Sequence, residues 1–207
     1  MVAFADASQS SFSVTGFGRV EYAAGRWTDN EVIRVDTALH NLHHHVDGTE
    51  LLKTSAGGTI RMARLGRELE NPASDPFFGF NDGRNTISFT TDGLYSGGLE
   101  LEATVYHEFA HNWDDPHENR HVGAFRALSD WDMTRDPGDL PSDATGDSWF
   151  YSRDAVFARD YGRHNPQEDF ATTWETYFLK EYHGVTPGRT EVSEKLANLD
   201  RLFRDLA

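Results

Sequence analysis

The segment His107-Glu108-Phe109-Ala110-His111 carries the strongest chemistry in this 207-residue chain. Residues four apart on a helix lie on one face, one turn above the other. Two imidazoles at that spacing reach a single metal ion. The glutamate between them lies beside that ion, where it can take a proton from water. A pattern this short also arises by chance in a chain with ten histidines, so its surroundings decide its weight.

Those surroundings read as a helix. After Gly97-Gly98, residues 99–111 contain neither Gly nor Pro. Leu101, Val105 and Phe109, with Ala103, Tyr106 and Ala110 between them, make one broad apolar face. Asp114, Asp115 and Pro116 end the run. Two histidines and a glutamate on a largely buried helix are costly to desolvate unless they are paired or bound to metal.

A catalytic zinc takes three protein ligands and keeps one position for water. Two residues compete for the third place. His117 lies ten residues after His107, as in the pattern HExxHxxGxxH, with Met133 downstream as its Met-turn candidate. Asp114 stands where that pattern has glycine, and Pro116 crowds the turn. Glu168 lies in Asn165-Pro166-Gln167-Glu168, which reads as a helix start: Asn at the cap, Pro in the first position, an acid two residues on. Capping alone accounts for such an acid, and a first-turn carboxylate can equally point at a metal. Asp169 faces about 100° away from Glu168 and is expected to support the site or to meet solvent.

The run His107-Glu-Phe-Ala-His-Asn-Trp-Asp-Asp, followed by Tyr161-Gly-Arg-His-Asn-Pro-Gln-Glu-Asp-Phe-Ala, resembles the catalytic domains of the anthrax lethal factor group of zinc metalloproteases. It is similar, more distantly, to the secreted Pro-Pro endopeptidases. The resemblance covers some twenty residues. It implies a zincin-like α+β fold and one catalytic zinc on His107, His111 and Glu168, a gluzincin-type site. It also implies Glu108 as general base and Tyr161 as a donor to the scissile carbonyl oxygen. The strand at Thr86 to Thr90 takes the role of an edge strand that pairs with extended substrate; an inner strand is the alternative reading. One departure stands out: the next helical turn of the family often carries a second acid, where this chain has Thr172, with Glu175 one turn further on. The expected activity is metalloendopeptidase, with a peptide or protein substrate. The alternatives are a catalytically silent zinc-binding or adhesive domain of a larger secreted protein, and a metzincin using His117.

Composition narrows the partners. The net charge is −15, from 34 acidic and 19 basic residues. That argues against nucleic acid and against anionic membrane surfaces. There is no cysteine, hence no disulfide and no thiol nucleophile. No run of eighteen apolar residues is present to span a membrane, and the start lacks the basic and apolar regions of a signal peptide. The expectation is a monomeric, secreted or extracellular domain, cut from a longer precursor.

The elements expected to position the site form a single α+β domain over 1–207. Residues 1–11 read as linker, and a cleft between lobes follows about residue 115. Residues 12–22 read as one short strand or an irregular lead-in. Thr28 to Glu31 caps a helix running to about His44 and ended by Gly48, with His43-His44-His45 as its polar end. Residues 59–65 alternate as a strand, and residues 77–90 read as a hairpin around Asp82-Gly83. Further helices are expected at 118–128, 167–182 and 192–206. Between the first two, residues 130–148 read as an acidic, solvated loop; a calcium site is the alternative, without an ordered calcium-binding pattern to support it. His121, one turn beyond His117, is a candidate for a weak pair with it.

Overall fold

In the computed structural model of the chain, the described residues are 11–13, 20–23, 27–48, 50–53, 59–64, 78–83, 86–95, 97–114, 120–144, 146, 148–186 and 192–207. Their class is α+β, with small mixed sheets and a larger helical share. The chain divides into two compact units, one running to Asn112 and the other from Trp113 to Leu206, with Ala207 grouped with the first.

The first unit is built on a five-stranded sheet. Its strands are β1 (Ser11–Ser13), β2 (Val20–Ala23), β3 (Ile60–Arg64), β4 (Gly79–Asn81) and β5 (Thr86–Phe89), in the order β1-β2-β3-β5-β4. The single strand expected over 12–22 is therefore two, paired antiparallel with Phe12 opposite Tyr22. β2, β3 and β5 run parallel, and parallel neighbours need a crossover. Between β2 and β3 the chain forms α1 (Asp29–His45). Thr28 starts it with a full capping box: its side chain accepts from the Glu31 N–H and the Glu31 carboxylate takes the Thr28 N–H, satisfying two backbone donors that the helix leaves open. Val32, Val35, Ala38, Leu39 and Leu42 are fully buried, the 3–4 spacing of one apolar face.

β4 and β5 form the expected hairpin. Their order decides between the two readings of the strand at 86–90. Residues 86–89 lie between β3 and β4, so β5 is an inner strand and, among the described residues, the end of the sheet is β4. Ile87 and Phe89 of β5 are fully buried, as an inner strand requires. A short helix, α2 (Thr91–Tyr95), then leads to α3 (Glu100–Ala110), which packs against α1.

The second unit contains α4 (Arg120–Ala127), α5 (Pro166–His183) and α6 (Ser193–Leu206). α5 ends on Gly184 at φ 66°, the left-handed conformation that glycine adopts without penalty. Trp174, Phe178 and Phe203 interlock between α5 and α6. The acidic stretch after residue 130 is more ordered than expected. Leu140–Pro141 (β6) pairs with Phe150–Tyr151 (β7), and Trp131, Tyr151 and Phe157 form a small core beside them. Among the described residues of that stretch no set of three acids gathers as a metal site.

Candidate metal centre

α3 holds the first part of the site. Leu101, Val105, Tyr106, Phe109 and Ala110 are buried as the apolar pattern requires. The helix ends at Ala110, and His111 caps it in helical conformation. His107 and His111 thus remain one turn apart. Their Nε2 atoms lie 3.2 Å from each other and the rings cross at 78°. Two donors on a tetrahedral zinc, each at about 2.05 Å, stand roughly 3.3 Å apart, so the pair has the bite of a metal chelate. One neutral ring donating to the other gives the same length; a third donor separates the two cases.

Glu108 is 6% exposed and is held close to β4. Gly79 makes this possible: a Cβ there would stand 2.8 Å from Glu108 Cγ and 2.9 Å from its Oε1. From the same strand, Asn81 Nδ2 donates to the Glu108 carbonyl oxygen at 2.7 Å and to Asn112 Oδ1 at 3.2 Å. The carbonyls of a last helical turn lack intrahelical donors, and Asn81 supplies one. Neither Gly79 nor Asn81 stands out in the sequence beyond its turn-forming neighbourhood.

α5 carries the other candidate ligand. Asn165 is its N-cap and Pro166 its first residue. Asn165 Oδ1 accepts from the Glu168 N–H at 2.8 Å. Thr172, standing where the resembled family has its second acid, donates its hydroxyl to the Glu168 carbonyl oxygen at 2.7 Å. Glu175 pairs with Arg159. Tyr161 sits in a 3-10 turn, Asp160–Arg163, packed directly on α5. A Cβ on Gly162 would come 2.8 Å from Thr172 Oγ1 and 3.3 Å from Asp169 Cα. Tyr161 is 51% exposed, which rules out a core role. His164 Nδ1 lies 2.8 Å from the Tyr161 carbonyl oxygen, and the two rings are 4.4 Å apart.

His107, His111 and Glu168 each offer one ligand atom, and these atoms all lie within 4.8 Å of one another. This group could hold a metal ion, and its donor set of two imidazole nitrogens and a carboxylate oxygen fits zinc chemistry. The rival, His117, lies outside the described residues, and Met133 is exposed. His121 meets Asp205 at 2.9 Å. The three histidines at 43–45 close α1, as expected of a polar helix end.

Of the two places expected for Asp169, beside the site or in solvent, burial excludes the second: the residue is fully buried. Lys195 Nζ reaches both of its oxygens, at 2.6 and 2.7 Å. Ser129 Oγ and Trp131 Nε1 donate to Oδ2 at 2.8 and 3.0 Å. Burial pushes the Asp169 carboxyl up, opposed by Lys195 and the two neutral donors. Burial pulls the Lys195 ammonium down, opposed by Asp169. Every group around the carboxylate is a donor, the arrangement an ionised acid needs. A signal for this pair exists in the sequence: Lys195 falls on the apolar stripe of Val192, Leu196 and Leu199, where a lysine is out of character.

Comparison with protein-family models, with curated proteins and with solved structures finds no match for this chain.

Proposed function

We propose that this chain is a zinc-dependent metalloendopeptidase of zincin-like type, with His107, His111 and Glu168 as the ligands of one catalytic zinc. The observation that carries this reading is the gathering of those three donor atoms within 4.8 Å, from segments that separately resemble the two halves of a gluzincin site. Zinc held there supplies a Lewis acid that brings the pKa of water towards neutrality.

The protein's own groups do the rest. Glu108 accepts the proton of the attacking water and returns it to the leaving amine nitrogen. Its packing against Gly79 limits the positions its carboxylate adopts. The Tyr161 hydroxyl donates to the scissile carbonyl oxygen as charge develops on it; exposure of the residue leaves it available to a substrate. β4, at the end of the sheet, takes the substrate-pairing role that the resemblance assigns to an edge strand.

Zinc content tests the ligand set. The parent is expected to bind one zinc per chain, with Glu168→Gln and His111→Ala losing most of that affinity and His117→Ala retaining it. Loss of zinc in His117→Ala with retention in Glu168→Gln would replace this reading by a metzincin-type one.

A further inference from the structure

We infer that the buried Asp169–Lys195 pair is a positioning device for Glu168, setting the rotation of the first turn of α5 and with it the direction of the neighbouring carboxylate. The inference rests on the reading of Glu168 as a metal ligand.

A metal site tolerates errors of only about 0.2 Å in a ligand distance. A side-chain tip stands roughly 5–6 Å from its helix axis. A rotation of 20° therefore carries the tip about 2 Å, ten times the tolerance. The first turn of a helix is also where rotation is least restrained, because its N–H groups have no intrahelical partners. The Asn165 cap and the Thr172 hydroxyl hold the Glu168 main chain at its N–H and carbonyl, but both belong to α5 or its cap and move with it.

Asp169 ties that turn to other elements through hydrogen bonds and an ion pair. Its carboxylate is held by Lys195 of α6 and by Ser129 and Trp131, which follow α4. The lysine is itself enclosed, 3% exposed, with its ammonium 4.5 Å from the Phe157 ring centre and 5.4 Å from that of Phe125. Ammonium over aromatic faces is an attractive arrangement. Four donor contacts to one carboxylate fix both its position and its orientation. Asp169 follows Glu168 directly, so a change in the angle of one is the same change for the other.

A pair of this kind is not needed for stability alone, since apolar residues of similar volume commonly serve as well. Its geometric specificity is what an adjacent ligand uses. Supporting residues around metal ligands typically affect metal affinity 10- to 100-fold.

The test is a thermodynamic cycle on zinc affinity, read by competition with a chromophoric chelator on the full chain. Lys195→Met, Ser129→Ala and Trp131→Phe are each measured alone and with Glu168→Gln. Lys195→Met is expected to weaken zinc binding about 10- to 100-fold, and Ser129→Ala and Trp131→Phe by a smaller factor. Those losses are expected to vanish in the Glu168→Gln background, because they act through that carboxylate. Ser129→Ala removes one hydroxyl and leaves the ion pair intact, so it keeps the test decisive where Lys195→Met fails to fold. Equal losses with and without Glu168, or unchanged affinity in Ser129→Ala and Trp131→Phe while Glu168→Gln alone weakens binding, would overturn the inference. If Glu168→Gln itself leaves zinc affinity unchanged, the ligand assignment fails first and the positioning role with it.

Discussion

Asn81 donates its side-chain amide to the backbone carbonyl of Glu108 at 2.7 Å. A strand residue thereby anchors the last turn of the helix that carries both histidines, at the residue proposed as general base. The same strand brings Gly79 against the Glu108 side chain. β4 thus meets Glu108 twice, through a hydrogen bond to its main chain and through close approach to its side chain.

Gly79→Ala is the sharpest probe of the second contact. The new methyl would stand 2.8 Å from both Glu108 Cγ and Thr104 Cγ2, so the Glu108 side chain has to give way. Misplacing a catalytic group by about 1 Å costs on the order of 100-fold in rate. The expected outcome is a 10- to 100-fold fall in kcat for peptide hydrolysis, with zinc affinity within about threefold of the parent. A parent-like kcat would show that the contact does not constrain the base.

Asn81→Ala probes the first contact. It removes the donor to Glu108 and Asn112, and also the Oδ1 that accepts from the Gly83 N–H at 2.9 Å. A loss of about 1–3 kcal/mol is expected in urea unfolding. Asn81→Asp keeps an acceptor for Gly83 but sets a carboxylate against the Glu108 carbonyl oxygen, and should be the less stable of the two.

Thr28→Ala separates scaffold from site. It removes the capping box of α1, worth about 1 kcal/mol. The unfolding free energy should fall by that amount, with zinc affinity and turnover unchanged when folded protein is compared.

Tyr177 makes stability fall at alkaline pH. Burial, then the charge and hydrogen bond of Asp200, hold its phenol well above the usual value of 10. In the unfolded chain the phenol ionises near pH 10, while in the folded chain it stays protonated. The contribution is therefore complete below pH 10 and is lost as pH rises beyond it. Urea midpoints at pH 9 and pH 11 should differ more for the parent than for Tyr177→Phe.

Local signals made much of this molecule legible before its structure. α3 followed from apolar residues at 101, 105 and 109, and the start of α5 from Asn165-Pro166, because capping and periodicity are properties of neighbouring residues. Pairings between distant residues were less visible. The sequence leaves β5 open between an edge and an inner strand, because sheet order depends on which strands meet, and Ile87 and Phe89 are equally apolar in either place. The two-residue strands β6 and β7 are too short for alternation to register. The sequence does not decide between solvent and the site for Asp169, because its partner, Lys195, stands 26 residues away. Resemblance, and not spacing, favours Glu168 over His117, since HExxH alone suits either.

Cleavage of a diverse peptide library by the zinc-loaded chain, run beside Glu108→Gln at equal zinc occupancy, tests the peptidase reading most directly. Defined cleavage products from the parent, abolished or slowed at least 100-fold in the variant, are the result expected for a general base. Equal digestion by both proteins, or a zinc-loaded parent that cleaves no member of the library, would contradict it.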